Sequence, residues 1–69
     1  MEAYILNIKF KNWQNQLWFI NENSSEVKER WKEALKEIES LRNLSDDAME
    51  YQNNVIEYLK KLGFARIQK

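Results

Sequence analysis

The pattern that most constrains the fold is an alternation near the start of the chain. Tyr4, Leu6, Ile8 and Phe10 take every second position, with Ile5, Asn7, Lys9 and Lys11 between them. A period of two places successive side chains on opposite faces of a strand, so the even-numbered set is expected to face a core. A second apolar run, Leu17 to Ile20, follows after K-N-W-Q-N-Q, and together the two predict a β-hairpin over residues 4–22. That stretch holds two of the three Trp residues, and the rest of the chain reads as its cover.

The register of the hairpin is open at this level. Leu17, Trp18, Phe19 and Ile20 are all apolar, and no Asn-Gly or Asp-Gly pair fixes the turn. A four-residue loop, Asn12 to Asn15, pairs Phe10 with Leu17 and Ile8 with Phe19. Ile5, Trp18 and Ile20 then fall on the outer face beside Lys9 and Lys11. An odd-numbered loop or a bulge would exchange the two sets, because a slip of one residue moves every side chain to the other face.

Two helices are expected next. Val27, Trp31, Ala34, Ile38 and Leu41, with Leu35 beside them, recur at four-three spacing and form one apolar stripe on a helix over residues 25–43. Ser24 or Ser25 is its expected N-cap. The other positions hold opposite charges at i,i+3 and i,i+4, each pair adding about 0.2–0.5 kcal/mol, which makes this face solubilising. After the short link Asn43-Leu44-Ser45, the same spacing returns in Ala48, Gln52, Val55, Leu59 and Leu62, on a helix over residues 46–62 capped by Ser45. Gly63, the only glycine, stands where a helix ends in a left-handed residue. The tail from Phe64 to Gln68 has strand composition and is expected to join an edge of the hairpin. The result is an α+β fold of order β-β-α-α-β: one 69-residue domain, a small two-layer sandwich whose antiparallel three-stranded sheet is covered on one face by a helical hairpin.

Composition excludes several kinds of chemistry. With no Cys and no His, neither a disulfide nor a thiolate or imidazole metal site can support a chain this short, and nine aromatic side chains must carry the packing. General acid–base or nucleophilic catalysis usually needs a His, a Cys or a carboxylate pair in a pocket, and the first two are absent. Glu33 with Glu37 reads as a solvated helix face, and Asp46 with Asp47 as a helix start. A single Gly cannot build a phosphate-binding loop, and no EF-hand pattern is present. The expectation is a non-enzyme with no cofactor, no metal and no small-molecule substrate.

Eleven basic residues balance eleven acidic ones, and residues 1–23, 24–44 and 45–69 carry two, five and four of each sign. Such neutrality argues against nucleic acid as the main partner. The longest apolar run is too short to cross a bilayer, and the first residues lack the basic start and apolar core of a signal peptide, so a cytoplasmic protein is expected. Asn23-Ser24-Ser25 and Asn43-Leu44-Ser45 match the glycosylation pattern but read as helix starts.

The features left to carry function are the outer face of the hairpin and the exposed edge of its sheet. Ile5, Lys9, Lys11, Trp13, Trp18 and Ile20 are the candidate partner-binding residues, Trp13 being placed in the loop. A protein partner, or a second copy in a homodimer, suits an apolar patch with a polar rim. The alternative is stacking of single-stranded nucleic acid on Trp13 and Trp18 beside Lys9 and Lys11. A core role for Trp18 and Ile20, with Trp13 closing one end of the apolar layer, is the purely structural reading. A composition rich in Asn, Lys, Glu and Ile suits a small regulator or inhibitor from a bacterium or phage. The regular helical segment E-V-K-E-R-W-K-E-A-L-K-E-I-E-S-L would equally suit a de novo designed domain with no natural function, but the irregular hairpin loop favours a natural origin.

Overall fold

In the computed structural model, which describes residues 3–21 and 26–67, five elements follow in order: β1 (Ala3–Phe10), β2 (Trp13–Asn21), α1 (Val27–Leu44), α2 (Ala48–Lys61) and β3 (Phe64–Ile67). Both strand contacts are antiparallel, and β2 lies between β1 and β3. The helical hairpin covers one face of this sheet, as the alternation and the two stripes require.

The hairpin turn is tighter than expected. Phe10 faces Trp13 across a loop of Lys11 and Asn12, so Leu6 pairs with Leu17 and Tyr4 with Phe19. This corrects the pairing of Phe10 with Leu17 and of Ile8 with Phe19. Two-residue hairpin turns need a positive φ at their first position, and Lys11 supplies it at 54° without the usual Gly or Asn. The difference from the four-residue loop leaves the parity of pairing unchanged, and the same side chains therefore face inward. Leu6, Ile8, Leu17 and Phe19 are all buried.

Opposite them, Ala34 and Ile38 of α1 and Tyr51, Val55 and Leu59 of α2 complete the core with Phe64. Trp31 of α1 sits 5.0 Å from the Tyr4 ring, 5.2 Å from Phe64 and 6.2 Å from Phe19, touching all three strands. Ring pairs of this kind add about 0.5–1.5 kcal/mol each beyond their buried area, so this cluster fastens α1 to the sheet. At the turn end, Phe10 lies 6.0 Å from Tyr51. Leu35, placed beside the α1 stripe, is largely exposed.

Helix boundaries follow from local hydrogen bonds. The expected caps Ser24 and Ser25, and the ends of the hairpin at Glu22 and of the last strand at Gln68, lie outside the described residues. The N-cap position of α1 is Glu26, at φ 59°, with no side-chain cap bond. Ser45 does not cap α2, as had been expected; its hydroxyl donates to the Leu41 carbonyl at 2.6 Å and accepts from Asn54 Nδ2 at 3.3 Å, tying the end of α1 to α2. Asp47 is the cap instead, accepting from Glu50 N–H at 2.8 Å, while Glu50 reaches back to Asp46 N–H at 3.3 Å. At the other end Gly63 takes φ 94° and donates its N–H to the Lys60 carbonyl, one of the two Schellman bonds. Its turn sends Phe64 directly into the core.

Candidate functional site

Because the helices cover only one face, the other face of the sheet is bare among the described residues. Its side chains fall into rows across the strands. Ile5, Trp18 and Ile67 form one row, and Ala3, Ile20 and Ala65 the next. Towards the turn the rows become polar, Asn7 with Gln16 and Lys9 with Gln14. The face is thus apolar where three strands meet and polar where only two do. Lys9 is its one charged side chain among the described residues, in a chain that is 32% charged.

Trp18 is held in place by the polar end. Its indole N–H donates to Gln16 Oε1 at 3.0 Å, and Gln16 Nε2 donates to Asn7 Oδ1 at 3.1 Å. The indole N–H already has its acceptor, so the body of the ring is presented in a fixed orientation. An aromatic anchor that is held beforehand loses little entropy on docking. Ile5 beside it is 45% exposed, whereas Phe19, the next residue to Trp18, is fully buried on the opposite face.

The sequence-derived site divides between two faces. Ile5, Lys9, Trp18 and Ile20 do share the bare face. Trp13 does not belong to the loop, as had been expected: it opens β2, shares the inner face with Leu17 and packs against the core. Lys11 sits in the turn with its ammonium 5.7 Å from the centre of the Phe10 ring, on a side chain of the inner set. The aromatic and basic groups suggested for stacking a single strand therefore do not form one platform. Ile67, Gln16 and Asn7 were not singled out from the sequence. Alternation in the tail would have found Ile67, since a buried Phe64 forces Ala65 and Ile67 outward.

Elsewhere the described residues contain no group of three or more Asp or Glu side chains placed to hold a metal ion. No helix among them is long and apolar enough to cross a membrane. The phenols of Tyr51 and Tyr58 are both held above their ordinary range, in each case chiefly by burial. Both belong to the helix layer. No protein-family model, curated protein or solved structure matches the chain.

Proposed function

We propose that this chain is a non-enzymatic protein-binding module of the cytoplasm, a regulator or inhibitor of a larger protein or a homodimer, acting through the bare face of its sheet. The observation that carries this reading is the row Ile5, Trp18 and Ile67, bordered by Ile20 and nearly free of charge. Depletion of charge around aromatic and aliphatic groups is the compositional mark of an interface centre, and Trp is among the residues enriched at energetic hot spots. The absence of Cys is compatible with a reducing compartment.

Trp18→Ala and Ile20→Ala test the reading. Each is expected to keep the far-ultraviolet circular dichroism of the parent and to lose association, followed as solution mass for self-association and as retention of a bound protein for a partner. Unfolding of both variants would assign these residues to the core and overturn it.

A further inference from the structure

Two backbone edges of the sheet lie open among the described residues, and the neighbouring side chains treat them differently. β3 pairs with β2 over Trp18–Asn21 only, leaving Trp13–Leu17 with a described strand on one side. Asn15 blunts that half. Its Oδ1 accepts from Gln16 N–H at 2.9 Å, and its Nδ2 donates to the buried Gln52 Oε1 at 2.7 Å, which fixes it to α2. An incoming strand would have to displace an acceptor already held in place.

The same bond gives the orientation of the other edge. A Gln16 N–H taken by Asn15 is not directed at Asn7, so Asn7 and Gln16 are a non-hydrogen-bonded pair of the ladder. Pair types alternate along antiparallel strands, which puts Ile5–Trp18 and Lys9–Gln14 in the same class. The N–H and C=O groups of Ile5, Asn7 and Lys9 therefore point away from β2, out of the free edge of β1. That edge runs eight residues, contains no Pro and pairs with β2 in unbroken register, so no bulge turns it aside. Lys9 is its only charge. Exposed edges of this length are ordinarily blunted by charges, Pro or bulges, and a single Lys is a weak defence.

We propose that the β1 edge pairs antiparallel with β1 of a second copy, about a two-fold axis near Leu6–Asn7, to make one continuous six-stranded sheet. This goes beyond the reading of the bare face, using the strand edge beside it. The strand's own sequence favours a second copy. About that centre the outward backbone groups of Ile5, Asn7 and Lys9 meet the same set, and Tyr4, Leu6, Ile8 and Phe10 continue the apolar layer on the helix side. Lys9 falls opposite Ile5 or Ala3 of the other copy, never opposite its equivalent, and so avoids the like-charge contact that destabilises a pair. The interface is isologous and closes at two chains.

The test is the dissociation concentration by sedimentation velocity for the parent, Ile5→Glu, Ile5→Lys and Asn7→Pro. The parent is expected to be a reversible dimer. Ile5→Glu places a carboxylate beside Lys9 of the other copy and should bind at least tenfold tighter than Ile5→Lys, with the gap narrowing in high salt. Asn7→Pro removes an outward N–H without removing a ladder bond and should leave a monomer. Should that variant fail to fold, the Ile5 pair decides alone, since Ile5 is exposed. A monomeric parent at millimolar concentration would overturn the proposal and leave the bare face open to another protein. Equal weakening by Glu and Lys would overturn it as well, and would assign the dimer to the apolar face.

Discussion

Trp18 and Phe19 are neighbours in the chain and answer to different demands. Phe19 faces the helices, is fully buried and lies within reach of the Trp31 ring. Trp18 faces away, half-buried, with its indole N–H on Gln16. β1 shows the division most plainly: Tyr4 and Phe10 close its inner face with Leu6 and Ile8 between them, while among the described residues the outer face is an uncovered apolar row with a polar margin. For a small sandwich this means that stability and recognition can be altered separately, one residue apart, because a strand puts adjacent side chains in different solvents.

The largest expected effect is on the inner side. Phe19→Ala removes a ring from a site without space to collapse into and should cost about 3–5 kcal/mol, measured by urea unfolding. In a domain of this size that is a large part of the total, so the variant is expected to be substantially unfolded at 25 °C. Next is the junction that serves both faces. Gly63→Ala meets only ordinary contacts, Asn21 side-chain atoms at 3.6 and 3.8 Å, so its cost is that of a left-handed backbone, about 1–2 kcal/mol. Because Gly63 seats both Phe64 and Ile67, that variant should lose stability and weaken association together.

The outer side is expected to respond weakly. Trp18→Ala, measured dilute enough that self-association adds nothing, should change unfolding free energy by no more than about 1 kcal/mol, the span of strand propensities. The smallest effect is in alkali. Burial holds the Tyr51 phenol above its ordinary value of 10.0, with Arg42 opposing the rise and Glu39 adding to it. The unfolded chain then loses that proton first, so stability is intact below pH 10 and declines as pH rises further. Tyr51→Phe should flatten the decline, while Trp18 variants should leave its slope unchanged.

Much of this division was legible in the sequence because it depends on parity and period. The alternation from Tyr4 to Phe10 fixes the buried face of β1, and any loop of even length then brings Leu17 and Phe19 to that same face. The two helical stripes likewise identify Ala34, Ile38, Val55 and Leu59. Register was not legible, since Lys11 adopts a positive φ that nothing about a lysine announces. Placing Trp13 in the loop followed from that error and put it on the wrong face. In S-D-D each residue is a competent cap, and the choice of Asp47 depended on Ser45 being engaged by Leu41 and Asn54, contacts between the two helices. Gln52 on an apolar stripe was a usable signal: a polar group at a core position needs a partner, and Asn15 is that partner.

The most direct measurement compares Trp18→Ala with the parent twice, once by urea unfolding at high dilution and once by retention of a bound protein. Unfolding curves that nearly coincide are expected, with protein binding present in the parent and absent in the variant and the β1-edge dimer kept by both. A fall in stability approaching that of Phe19→Ala would contradict this account, making Trp18 a core residue and the outer face a second part of the scaffold.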